Sequence, residues 1–201
     1  MRIIRVITEN GQHFQLIDDK GEPVPLADAF AVGLEARGCS PNTIVSYLYD
    51  LRRFYAFLNE AELTVDEFRP KHTINFLAFL NNIQPKRRKV AYFPSLVHHG
   101  LSTMTINRIL AAVSTFFEYL VLSGYEGIAN NPLDASAGNG RIGKARRPAR
   151  RLIRLRRIHR IPQPLTDEQV ARLLEVIVRL RDRAMFLLML QGGLRPGEVL
   201  R

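Results

Sequence analysis

Apolar and polar residues alternate at the N-terminus, through Ile4, Val6 and Thr8 and again through Phe14, Leu16 and Asp18. A period of two is the mark of a half-buried strand, and the Asn10-Gly11 pair between the runs favours positive φ. Residues 1–22 are therefore expected to form a small β-hairpin, with Asp19-Lys20-Gly21 as its exit turn. From Pro25 the period becomes helical. Leu26, Ala29, Phe30, Val32 and Gly33 mark a first helix ending at Gly38, and Ser40-Pro41 restarts the chain with a capping hydroxyl and a proline suited to the first turn. A second helix carries one apolar stripe, Ile44, Leu48, Leu51, Tyr55 and Leu58. Thr64-x-x-Glu67 has the capping-box pattern, Pro70 interrupts, and Ile74, Leu77 and Leu80 continue a third helical segment. The fourth, from about Thr103, carries Ile106, Ile109, Val113, Phe116 and Leu120 and stops at Gly124.

Four helices with short links predict a mainly α fold, a four-helix bundle over residues 23–134 behind the small N-terminal hairpin. The stretch from Pro85 to Gly100, with Lys86-Arg87-Arg88-Lys89, reads as irregular. After Asn131-Pro132 the composition turns to Ala, Gly and Asn, then to arginine, and ends in Pro162-Gln163-Pro164, so residues 135–163 read as an interdomain linker. Thr166-x-x-Gln169 opens a new helix with Val170, Leu173, Leu174 and Ile177, and a very apolar one follows from Arg183 to Gln191. The pattern breaks at Gly192-Gly193 and resumes at Leu194-Arg195-Pro196-Gly197-Glu198-Val199-Leu200. Residues 164–201 are expected to be the first helices of an incomplete second domain, with Ala184–Leu190 exposing apolar surface.

Charge narrows the class of partner. The 201 residues carry 29 Lys and Arg against 19 Asp and Glu, a net charge of +10. Ten of the basic residues and no acid fall within 141–160, so the rest of the chain is balanced and the whole surplus sits in one segment. Such a block repels itself and gains most from a phosphate backbone, which points to a polyanion as partner. Cys39 is the only cysteine, which disfavours a disulfide scaffold. The longest unbroken apolar run, Ala184–Leu190, is seven residues, against roughly eighteen for a membrane span, and no apolar signal-peptide core follows Met1. A cytoplasmic protein without a membrane partner is expected. His98-His99, His13, His72 and His159 make no metal-binding spacing with Cys39, so no metal is expected. No glycine-rich phosphate loop or Ser-His-Asp order is present, so neither a cofactor nor a small-molecule substrate is expected.

Several segments resemble one family in order and spacing. Ser40-Pro41-Asn42-Thr43-Ile44-x-x-Tyr47-x-x-Asp50-Leu51-x-x-Phe54, then Thr105-Ile106-Asn107-Arg108-Ile109-Leu110-Ala111-Ala112-Val113 with Phe116-Phe117-x-Tyr119-Leu120, then Asn131-Pro132-Leu133, resemble the core-binding (SAM-like) domain of tyrosine recombinases, the phage-integrase family. Pro164-Leu165-Thr166-x-x-Gln169 and Gly193-Leu194-Arg195-Pro196-Gly197-Glu198-Val199-Leu200 are similar to the opening of that family's catalytic domain. The resemblance implies double-stranded DNA as partner, a homo-oligomer on the DNA for the full-length parent, and a clamp of two domains joined by a linker crossing the duplex. It places DNA contacts at Asn42, Thr43, Ser46 and Tyr47, with Arg52, Arg53, Thr105, Asn107 and Arg108 as further candidates, and Arg146, Arg147, Arg150 and Arg151 in the crossing segment. Phe54, Tyr55, Phe116, Phe117 and Tyr119 read as core residues rather than base-stacking ones.

In the family a tyrosine attacks a DNA phosphodiester and forms a 3′-phosphotyrosyl link without a metal. The charge that gathers on the phosphoryl oxygens calls for planar, permanently protonated donors, which a guanidinium supplies. Arg195 matches the first such arginine, with Glu198 on the same side of the helix to orient it. The family's later residues, a Lys, a His-x-x-Arg pair, a further His or Trp and the nucleophilic Tyr, have no match among the six residues after Arg195. The chain is thus expected to be inactive in strand cleavage alone, supplying DNA binding and one catalytic arginine to a full-length recombinase or integrase. Two other readings use the same basic surface: a non-catalytic protein that occupies recombination sites or regulates transcription, and an RNA-binding protein whose arginine block folds on RNA.

Overall fold

In a computed structural model of the chain, the residues described are 1–8, 11–83, 100–134, 155–156 and 164–200. They fall into two compact units, Met1–Ile158 and His159–Arg201. The first opens with the hairpin, β1 (Arg2–Thr8) paired antiparallel with β2 (Gly11–Ile17). Its register sets Thr8 opposite Gly11, so Gly11 is the first residue of β2, and Asn10 lies outside the described residues. The hairpin is not an appendage: Leu16 is fully buried in the helical core and Ile3 and Phe14 pack against it.

Four helices follow: α1 (Pro25–Ala36), α2 (Pro41–Glu60), α3 (His72–Asn82) and α4 (Thr103–Leu122). Each of the two long ones, α2 and α4, starts on a serine. Ser40 Oγ accepts from the Thr43 N–H and Ser102 Oγ from the Thr105 N–H, satisfying one of the free donors of the first turn. The Thr64 and Glu67 pair is formed, with the Glu67 carboxylate accepting from both the N–H and the hydroxyl of Thr64 at 2.9 Å. It closes a turn rather than starting a helix, because α3 begins only at His72, beyond Pro70.

Helices α1, α2 and α4 end alike. In each, the second residue past the cap donates to a carbonyl five residues back: Cys39 to Leu34, Leu63 to Leu58, and Tyr125 to Leu120. The residue before it takes the left-handed conformation that this closure demands. Gly38 and Gly124 do so at φ +74° and +69°, and Glu62 at +51°.

The core is aromatic. Phe54 sits among Phe68, Phe76, Phe116 and Phe117, with ring centroids 5.1 to 6.5 Å apart and steep interplanar angles, the edge-to-face packing that ring quadrupoles favour. Phe54, Tyr55, Phe116 and Phe117 are buried, as the sequence pattern predicts. Tyr119 is half-buried and covers Gly33 of α1 so closely that a Cβ there would stand 2.6 Å from its ring. Helix α4 has the length and mean hydropathy (1.3) of a membrane span, a match that counting unbroken apolar runs does not reveal. Its apolar side chains, Ile106, Ile109, Val113, Phe116 and Leu120 among them, are the centre of this bundle.

The second unit contains α5 (Asp167–Val176), α6 (Leu180–Gly192) and α7 (Pro196–Val199). Thr166 and Gln169 form a full capping box at the start of α5. No residue of these helices is buried, and Val176, Val178, Leu180 and Leu188 are exposed, so the unit's apolar side chains lack a core of their own.

Candidate nucleic-acid interface

The first turns of α2 and the first half of α4 enclose a groove of about 340 Å³. Its walls are Asn42, Thr43, Ser46, Tyr47 and Asp50 from α2 and Arg108, Ala111 and Ala112 from α4. Five of the residues expected to meet DNA thus share one surface. The two alanines leave the space: a larger side chain on that face of α4 would fill it. Asn42 is exposed at the rim, and the Tyr47 ring is braced edge-on against Phe30, 5.9 Å away in the core. The Thr43 hydroxyl lies 2.9 Å from Ser40 Oγ, so it belongs to the cap as well as to the groove.

The charged centre of the groove is Arg108. Its Nη1 donates to Ser46 Oγ at 2.5 Å and to Asp50 Oδ2 at 2.8 Å, tying α4 to α2. Both bonds use one nitrogen, and Nη2 and Nε have no partner among the described residues. With the side chain 48% exposed, the guanidinium is fixed on one edge and open on the other, the presentation that suits phosphate oxygens.

Asp50, which the sequence pattern does not single out as a site residue, organises the site. Its carboxylate is 2% exposed and also accepts from Arg53 Nη1 at 3.3 Å. Burial pushes its pKa up to about 6 from an ordinary 3.8, against the pull of Arg108 and then Arg53 toward the ionised form. Burial likewise draws the Arg53 guanidinium below its usual range. A polar residue between Leu48 and Leu51, with arginine three residues on, is the sequence sign of such a buried pair.

The other candidates lie elsewhere. Arg52 stands over the exposed Tyr49 ring, 5.5 Å from its centroid, outside the groove. Thr105 shares the cap of α4 with Ser102, hydroxyl to hydroxyl at 2.8 Å. Asn107 is buried and its amide is spent on the backbone of Leu155, which removes it from the surface open to a phosphate. Arg146, Arg147, Arg150 and Arg151 fall outside the described residues.

In the second unit, Arg195 is exposed at the start of α7, just after Gly193 in the left-handed conformation. Glu198 reaches it through the backbone: its carboxylate accepts from the Arg195 N–H at 2.7 Å. The guanidinium, which the sequence reading has Glu198 orienting, makes no bond to it among the described residues.

Residues 27–124 match the family described as phage integrase, N-terminal SAM-like domain. The match falls on the bundle. The match covers α1 from its third residue through α4 and every groove residue, while the hairpin, the arginine-rich segment and Arg195 lie outside it. The whole chain is also similar to transposase A from transposon Tn554 of Staphylococcus aureus, 26% identical over 207 residues and 56% of that protein. It is similar to the tyrosine recombinase XerC of Herpetosiphon aurantiacus, 28% identical over 81% of this chain and 44% of the relative. The tyrosine recombinase XerA of Thermococcus kodakarensis is 27% identical over 89% of this chain and 48% of the relative. The chain therefore spans about half the length of these relatives. Among solved structures, an integrase from mycobacterium phage Brujita aligns with a TM-score of 0.45 and 20% identity, over 85% of this chain and 46% of that one.

Proposed function

We propose that the SAM-like bundle grips double-stranded DNA through the α2/α4 groove, and that the chain serves site-specific DNA recombination as the DNA-binding portion of a tyrosine recombinase. The observation that carries this reading is the groove itself: Asn42, Thr43, Ser46, Tyr47 and Arg108 converge there, with Arg108 held on one edge and open on the other. The arginine-rich segment adds a sequence-independent hold on the phosphate backbone, and Arg108 with its neighbours fixes the register. In the reaction, a tyrosine oxygen bonds to the scissile phosphorus, the 5′ oxygen leaves with a proton, and a 3′-phosphotyrosyl link remains until a second strand displaces it. Arg195 is the first arginine of that site in the full-length parent, its guanidinium placed on the phosphoryl oxygens and its backbone set by Glu198. The recombinase works as a homo-oligomer on its DNA site, and in the cytoplasm with that DNA.

Fluorescence anisotropy with a labelled duplex tests the binding. Six phosphate contacts give a slope of log affinity against log salt of about −5, hence a loss of roughly a thousandfold between 50 and 200 mM salt. Salt-independent binding, or no binding at 50 mM, overturns the reading. So does a structured RNA that displaces the duplex at equal salt and concentration.

A further inference from the structure

By its composition the segment after the bundle is a basic connector between domains, and one point in it is fixed to the bundle. Asn107 is 4% exposed, in the second turn of α4. Its carboxamide meets the backbone of Leu155, 48 residues later: Nδ2 donates to the Leu155 carbonyl at 2.9 Å, and the Leu155 N–H donates to Oδ1 at 2.9 Å. A primary amide offers a peptide unit one donor and one acceptor, so a single side chain satisfies both backbone groups of Leu155. The Leu155 side chain packs against the core. At the other end of the segment the chain leaves the core at Leu133, buried, whose N–H is held by Asn131 Oδ1 at 3.0 Å. Asn131 Nδ2 donates in turn to Ser114, at 2.9 Å to its hydroxyl and 3.1 Å to its carbonyl. Asn107 and Ser114 are seven residues apart on one face of α4, about 10 Å along its axis. Leu133 and Leu155 are thus both tied, directly or through Asn131, to the same stripe of one helix.

We infer that Asn107 is a positioning residue for DNA binding: by holding Leu155 on α4 it returns the basic segment to the domain that carries the groove. This rests on the DNA reading above. The seven basic residues from Arg141 to Arg154 then lie, in sequence, between two anchors on one bundle, and Arg156 follows the second anchor directly. A segment tied to one body at both ends loses less freedom when it settles on a duplex than a segment tied at one. It also follows that only the short stretch after Arg156 connects this bundle to α5.

Two variants of the full chain test the inference, Asn107→Ala and Leu155→Pro. The second removes the N–H donor without touching any helix of the bundle. Without DNA, the Leu155 amide is expected to exchange slowly in the wild type and fast in Asn107→Ala, while the Leu110 and Phe116 amides stay protected in both. Each variant is expected to weaken duplex affinity about three- to tenfold, the cost of ordering a freed segment, and the double variant no more than either single one. Unchanged exchange at Leu155 in Asn107→Ala overturns the inference. So do losses that multiply in the double variant, since the two residues then act independently. A wild type that fails to bind duplex while Leu155 stays protected overturns the DNA reading, and with it the role given to Asn107, and leaves only the fold contact standing.

Discussion

Asp50 shows how a single buried carboxylate sets both the geometry and the pH response of the bundle. Its folded pKa of about 6 lies above the ordinary 3.8, so the folded state keeps a proton that the unfolded chain has released over that interval. Stability from this group is greatest below pH 4 and falls as the pH rises to about 6, the reverse of an ordinary salt-bridged carboxylate. Asp50→Asn removes the titrating group and keeps the shape. In urea unfolding at pH 4 and pH 6.5, the wild type is expected to lose stability relative to Asp50→Asn, by on the order of 2 to 3 kcal/mol across that interval. A wild type that gains on the variant as the pH rises contradicts the assignment. The pair with Arg108 fixes where the guanidinium points.

The elements were legible wherever a local signal and the apolar period agreed. Ser40, Pro41, Gly38, Gly124 and the Thr166/Gln169 box mark helix ends in the sequence and stand at helix ends in the fold. The end of α2 carries no such sign, because Glu62 fills a left-handed position that glycine usually takes, and packing of Leu58 and Leu63 on the core holds it there. Glu62→Gly is therefore expected to stabilise the bundle by about 1 kcal/mol, read as a higher urea midpoint at unchanged slope. A lower midpoint would show that the Glu62 side chain contributes more than its backbone costs. The site was legible in part for the same reason. Asn42, Thr43, Ser46 and Tyr47 follow one another at the start of a marked helix, whereas what Asn107 and Asp50 bind depends on neighbours far along the chain or inside the core. Thr64 and Glu67 form only the carboxylate half of a capping box, which a turn before Pro70 accommodates as well as a helix does.

At the scale of the molecule, the two units differ in what they bury. Residues 1–158 hold the hairpin, the aromatic core and the groove, while α5 to α7 bury none of their residues and expose Val176, Val178, Leu180 and Leu188. The basic surplus lies in the sequence between the groove residues and Arg195. On the proposed function, the duplex meets the bundle at the α2/α4 groove. The most direct measurement is an amide chemical-shift titration of the isotopically labelled full chain with a duplex. The largest changes within the bundle are expected on Asn42, Thr43, Ser46, Tyr47 and Arg108. Changes centred instead on the cleft lined by Phe68, Arg69, Gly127 and Asn130, with the groove residues unmoved, would contradict it.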